Sequence, residues 1–267
     1  MLEIVGYIAA IFMGLSLGLI GGGGSILTVP ILVYLFHIDP VLATAYSLFI
    51  VGATSLFGSF SHIKLGNIHW RTAFVFGIPS IISVFLTRMY LVPAIPNPIF
   101  TVAGHEVSKA TGLLVLFAVI MLAASYSMIR KQKKAAEVDI DEVKYNYPLI
   151  LAEGAIVGVV TGLVGAGGGF LIIPALVLLA KLPMKKAVGT SLMIIAAKSL
   201  IGFMGDLRGD EVIDWKFMLI FTAIAVMGIF TGSYMSSKIS NDKLKPVFGW
   251  FVLVMGIYIL LKETVLK

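Results

Sequence analysis

The sequence predicts an all-α membrane protein of about ten transmembrane or partly spanning helices. They form two inverted-topology repeats of five, each with a Gly-rich broken helix. Composition, segment spacing and an internal duplication predict this. Of 267 residues, 59% are hydrophobic and 13% charged, against about 25% charged in a soluble domain. Mean hydropathy is +1.02. A soluble chain of this kind would expose large apolar patches and aggregate. That excludes a cytosolic enzyme, a nucleic-acid binder and a disordered regulator. There is no cysteine, hence no disulfide or thiolate chemistry. No GxxxxGK[ST] or GxGxxG occurs, hence no visible ATP or dinucleotide site.

The apolar segments follow in order. The first, Leu2 to Ile20, has no basic n-region and reads as a membrane helix rather than a removed signal peptide. Gly21, Gly22, Gly23 and Gly24 interrupt it, and a short stretch runs from Ser25 to His37. Then come Pro40–Ser61, Trp70–Leu91 and Val107–Ile129. A polar linker, 130–147, separates a first repeat (1–129) from a second (148–267) and reads as a cytoplasmic connector. The second repeat holds Pro148–Val164, a break at Gly165–Gly169, Phe170–Ala180, Met184–Gly205, Trp215–Met235 and Leu244–Leu261.

The duplication is visible residue by residue. Shifted by 144 positions, Gly14, Gly18, Gly21, Gly23, Gly24 and Pro30 fall on Gly158, Gly162, Gly165, Gly167, Gly168 and Pro174. The same shift takes Ser47, Ser55 and Gly58 to Ser191, Ser199 and Gly202. After one inserted residue, His69-Trp70-Arg71 meets Asp214-Trp215-Lys216. Loop charge favours both termini outside. Lys64, Arg71, the linker cations, Lys181, Lys185, Lys186, Lys238, Lys243 and Lys245 then lie inside. Arg88, Lys109, Arg208, Lys216, Lys262 and Lys267 lie outside. Five crossings per half turn the second copy over, a plan common in secondary transporters.

The glycine breaks carry the functional reading. Glycine lets the backbone leave the helix, and broken backbone at membrane depth survives only inside protein or beside a wet cavity. The short segments after each break would present free N–H groups and a partial positive charge to an anion. Gly21, Gly22, Gly23, Gly24, Ser25, Gly165, Gly167, Gly168 and Gly169 are therefore candidate substrate-binding residues. A tight turn between packed helices is the plainer reading. Gly14-xxx-Gly18 and Gly158-xxx-Gly162 fit close helix packing.

Lys198 lies inside an apolar segment, and its repeat mate is Thr54. Either it attracts an anion or its stem snorkels to the interface. Thr44, Ser47, Thr190 and Ser191 are candidates for lining the path, against the plainer role of bonding the preceding turn. His62 and Asp206 are repeat mates and candidates for proton coupling, against interfacial caps. Asp39 before Pro40, and Asp214 before Trp215, read as N-caps. Glu153 is expected to reach the inner interface. The four histidines lack metal-ligand spacing, so no metal and no cofactor are expected.

The run Gly14-Leu-Ser-Leu-Gly18-Leu-Ile-Gly-Gly-Gly-Gly-Ser25 with Pro30 resembles the sulfite exporter TauE/SafE family. So do its echo Gly158 to Gly169 with Pro174, the stretch Ala187-Val-Gly-Thr-Ser-Leu192, and Asp214-Trp215. The resemblance implies a prokaryotic cytoplasmic-membrane transporter for sulfite, sulfoacetate or a related sulfur-containing organic anion. The expected function is alternating-access secondary transport of such an anion, with a passive anion channel as the alternative. Too few polar groups cluster for an enzyme. The expected partners are the anion, the lipid bilayer and a coupling ion, proton or sodium. Nucleic acid is not expected, and a homo-oligomer is left open.

Overall fold

The computed structural model describes residues 2–102, 105–129, 147–178, 180–207, 213–236 and 241–265. The linker 130–146 lies outside the described residues. Helix α1 (Leu2–Ile20) is followed by a 3-10 turn (Gly23–Leu27) and α2 (Thr28–Tyr34). Then come α3 (Pro40–Lys64), α4 (Trp70–Leu86), a π-helical turn (Thr87–Leu91) and the one-turn α5 (Val92–Ala94). A small antiparallel pair, β1 (Phe100–Val102) and β2 (His105–Val107), precedes α6 (Lys109–Ile129). The rest is helical: α7 (Tyr147–Val164), α8 (Gly169–Leu178), α9 (Met184–Asp206), α10 (Trp215–Ser236) and α11 (Asn241–Thr264). Among the described residues, seven helices are long and apolar enough to cross a membrane. The strand pair departs from the all-α expectation; it lies in a Pro-rich connection with no hydrophobic period to announce it.

Local chemistry sets the helix ends. Asp39 caps α3, its carboxylate accepting from Val41 N at 2.8 Å, with Pro40 already at the φ a first turn needs. Asp214 does the same for α10, accepting from Phe217 N at 2.9 Å. Large apolar side chains point outward along the helices; Phe12, Phe74, Met227 and Val254 are all more than half exposed, as a lipid-facing surface requires. Trp70, Trp215 and Trp250 are exposed near helix ends or in α11.

Small residues bring the helices together. A Cβ on Gly14 would meet Ala225 O, and one on Gly232 would meet Leu15 O, so α1 lies backbone to backbone along α10. Likewise Gly154 approaches Phe76 O and Gly158 approaches Ser80 O, which seats α7 along α4. In both pairs residue numbers rise together, so the partners are parallel. By the same test α4 runs parallel to α9 (Gly77 to Ile194, Gly202 to Val84) and α3 parallel to α10 (Tyr46 to Phe217, Phe57 to Phe230). At the centre α3 and α9 are antiparallel: Gly52 meets Leu200, and Gly189 meets His62. Helices α6 and α11 are antiparallel too, Gly249 meeting Met128 and Gly256 meeting Met121. Thus α1, α3 and α10 point one way and α4, α7 and α9 the other. One face carries Asp39 and the end of α9, the opposite face Lys64 and the start of α9. We call them the Asp39 face and the Lys64 face.

Candidate substrate site

At the first break α1 closes with Gly21 N donating to Leu17 O at 2.8 Å, and Gly21 then takes φ +79°. That left-handed value is costly for any residue with a Cβ. Ser25 Oγ and Ser25 N both reach back to Gly22 O, at 2.7 and 3.4 Å. At the second break Gly165 N donates to Thr161 O at 2.8 Å, and Gly165, Gly167 and Gly168 have φ of +74°, +63° and +68°. Gly21–Ser25 and Gly165–Gly169 are all buried. They meet: a Cβ on Gly22 would lie 2.5 Å from Gly169 Cα. Gly165 packs on the Thr44 backbone, and Gly21 on the Val188 side chain.

Both breaks spend backbone donors locally. After the first, the chain enters a 3-10 turn, and Ser25 N and Thr28 N are taken by Gly22 O and Ser25 O. The free helix end expected there is therefore partly used up. After the second, α8 starts at once at Gly169, and Gly168 N is taken by Ala166 O while Leu171 N and Ile172 N go to Gly168 O.

Lys198 lies beside the second break. It is fully buried, and its Nζ donates to Thr161 Oγ1 at 3.0 Å. A Cβ on Gly168 would sit 2.8 Å from that Nζ. The side chain does not run out to the surface, so snorkelling does not describe it. Among the described residues no carboxylate pairs with it. A buried cation without a counter-ion is costly, and here its hydrogen-bond partner is the Thr161 hydroxyl. Thr28, Ser47, Thr54, Ser55, Ser80 and Ser199 are buried with no hydrogen-bond partner among the described residues. They lie on α2, α3, α4 and α9.

Of the other hydroxyls, Ser191 Oγ is within bonding reach of Gly21 O (2.9 Å) and Val188 O (2.8 Å), which ties α9 to the first break. Thr44 Oγ1 donates to Val41 O at 2.6 Å, the back-bonding role. Thr190 Oγ1 instead accepts from His69 N at 2.9 Å and closes the loop before α4. His69 caps α4 through Nδ1, which accepts from Thr72 N at 3.3 Å. Burial, then Lys186 and Arg71, push its imidazole below the usual value.

Arg88 is the residue that sequence reasoning misplaced. Counted with the outer loops, it is 1% exposed. Its Nη2 lies 2.7 Å from Asp206 Oδ1, and its Nε donates to both carboxylate oxygens at 2.8 Å. Its Nη1 donates to Thr44 Oγ1 at 2.9 Å and to Gly162 O at 3.2 Å. The signal was available: Arg88 falls inside the apolar segment Trp70–Leu91, with an acid ending another apolar segment. Removing it from the outer loops sharpens the charge imbalance. Asp206 is thus ion-paired, whereas His62 is buried with Nδ1 unpartnered among the described residues. The structure brings Asp206 to Arg88 and does not join it to His62. Glu153 does not simply reach the interface: its Oε2 is enclosed, with no partner among the described residues, beside a 470 Å³ groove between α6, α7 and α8. Among the described residues there is no cluster that could hold a metal ion.

The model of the sulfite exporter TauE/SafE family matches residues 7–259. The chain belongs to that family. Family membership extends through both halves, and the curated relatives are matched nearly end to end. A probable membrane transporter protein of Xylella fastidiosa (strain 9a5c) is 29% identical over 93% of this chain and 91% of its own. One of Methanocaldococcus jannaschii is 29% identical over 98% of this chain and 95% of its own. One of Bacillus subtilis (strain 168) is 24% identical, covering 94% and 96%. No solved structure matches. As a TauE/SafE member with seven candidate spans, the protein is a multi-pass membrane transporter.

Proposed function

We propose that this transporter moves a small oxyanion, sulfite or sulfoacetate or a close relative, by alternating access between two inverted repeats. The repeats are 1–129 and 148–267, and both termini are outside. The observation that carries the reading is Lys198, a fully buried cation without a carboxylate, set against the Gly168 backbone. An anion of three or four oxygens would take the Nζ proton now given to Thr161 and add the hydroxyls that lack partners. Positive-φ glycines let the backbone come close, as anion-holding nests do, and the α8 end adds its dipole. No large side chain is needed there, which suits a small solute.

The repeat reading draws support from the contacts. Shifted by 144 positions, or by 145 after the insertion, the Gly21–Val188 contact becomes Gly165–Thr44. Gly14–Ala225 becomes Gly158–Ser80, and Gly58–Ile229 becomes Gly202–Val84. Equivalent helices run oppositely, α3 against α9 and α6 against α11. That is the relation of a two-fold axis in the membrane plane, around which rocking gives alternating access. The breaks are then discontinuous helices meeting at the repeat interface.

The test is sulfite and sulfoacetate flux in proteoliposomes. Lys198→Met removes a buried charge but keeps the volume, so the protein should fold at least as well. Flux should fall about 100-fold or more, the effect of removing a charge-assisted contact from a dry site. Flux equal to that of the unaltered chain overturns the site.

A further inference from the structure

We propose that Arg88 is a second anion-holding residue on the transport path, and that Asp206 occupies its anion seat in the conformation described here. The proposal rests on the transporter reading and extends it toward the Asp39 face.

Each nitrogen of the guanidinium has a partner. Nε and Nη2 take the Asp206 carboxylate, while Nη1 takes Thr44 from the first half and Gly162 from the second. A carboxylate offers a guanidinium the same pair of oxygens as a sulfite or a sulfonate. Asp206 is then a tethered version of the cargo, bound where cargo would bind.

The position fits a path. Gly162 follows Thr161, whose hydroxyl accepts from Lys198. The two buried cations therefore touch consecutive residues of the last turn of α7, just before the second break. Thr44, the third group on Arg88, is the residue against which Gly165 of that break packs. The exposed side of the pair is also the informative one: the Asp206 side chain is 14% exposed and Arg88 only 1%. Withdrawal of Asp206 would uncover the cation toward the Asp39 face.

Stability alone does not explain the pair. Buried ion pairs are often matched or bettered by apolar residues of equal volume. Arg88 also sits on a π-helical turn, a local widening that is rare and frequent at functional sites. The equivalent residue, Ser233, lies in the regular helix α10. The charge and the irregular turn occur together, in one copy only.

The chain has no cysteine, so a single introduced thiol reports accessibility cleanly. Ser47 is fully buried one turn deeper than Thr44. In proteoliposomes, Ser47→Cys should resist a membrane-impermeant maleimide added from either side. With Asp206→Asn added, labelling from the Asp39 face should rise about tenfold or more, and the sulfite concentration giving half-maximal thermal stabilisation should fall about fivefold or more. Arg88→Gln with Asp206→Asn leaves no unpaired charge and should fold, yet lose most sulfite flux. Arg88→Lys should keep part of the flux at a raised KM. A purely structural pair would leave half-saturation by sulfite unmoved. The proposal is overturned if Asp206→Asn changes neither labelling nor half-saturation. It is equally overturned if the double variant transports sulfite with the unaltered KM and rate. The unaltered chain is scored separately: no flux of sulfite or sulfoacetate removes the proposed substrate and this proposal with it, whereas flux preserved in the double variant removes only the role of Arg88.

Discussion

At the Asp39 face the core is closed by charge: Arg88 grips Asp206, Thr44 and Gly162 O, and Gly165 packs on the Thr44 backbone. The positions equivalent by the repeat shift at the Lys64 face are Ser233, His62, Val188 and Gly21. There Gly21 packs on the Val188 side chain, and the only tie described to Gly21 O from α9 is the Ser191 hydroxyl. Ser233 Oγ and His62 Nδ1 have no partner among the described residues. Backbone contacts correspond at the two ends, while the side chains that would hold them shut do not. Packing in this chain follows its duplication, and charge departs from it. Under the proposed alternating access, two ends built this way would open at different cost.

Breaking the ion pair should have the largest effect on stability. Arg88→Gln alone leaves Asp206 facing an interior without its cation and should cost about 3–5 kcal/mol. Adding Asp206→Asn should recover most of that. Ser233→Ala at the opposite end removes a hydroxyl with no partner among the described residues and should change stability by less than about 1 kcal/mol. Denaturation in detergent checks all three. Equal losses at both ends would erase the contrast.

A smaller contrast concerns the two left-handed glycines. Gly165→Ala would push a methyl into the Thr44 backbone, while Gly21→Ala would meet the movable methyls of Val188. Both variants carry the left-handed penalty of about 1–2 kcal/mol. Gly165→Ala should therefore lower the melting temperature further. The reverse order would mean that the second break is the more yielding one.

The smallest expected effect is at the loop before α4. His69 accepts from Thr72 N through Nδ1, which only the neutral ring can do. Its folded value lies below the unfolded one, mainly through burial. The stabilisation is present above the unfolded imidazole range and is lost as pH falls through the folded value. A melting curve against pH should slope downward on the acid side, and His69→Asn, which still caps, should flatten that slope. An unchanged slope removes the capping role of His69 from this account.

Much of this architecture is legible in the sequence. Helices α3, α9 and α10 start at Pro40, Met184 and Trp215 as read, because Asp39, Pro183 and Asp214 punctuate them. Helix α1 ends at Ile20 and α7 at Val164, each next to its glycine run, since leaving the helical hydrogen-bond pattern is easiest at glycine. Arg88 was harder to read, because a cation near a segment end usually belongs to the interface. Only the crossing of α4 and α9 brings Asp206 to it. The 3-10 turn after the first break left no mark either, because Ser25 reaches back to Gly22 by a local hydrogen bond that composition does not reveal.

The proposal that Lys198 holds an anion is tested most directly by melting the purified protein across a sulfite titration, alongside Lys198→Met. A ligand of the native state raises the melting temperature. The unaltered protein should gain several degrees and saturate, while Lys198→Met should start as high or higher and gain nothing. An equal rise in the variant would contradict the account.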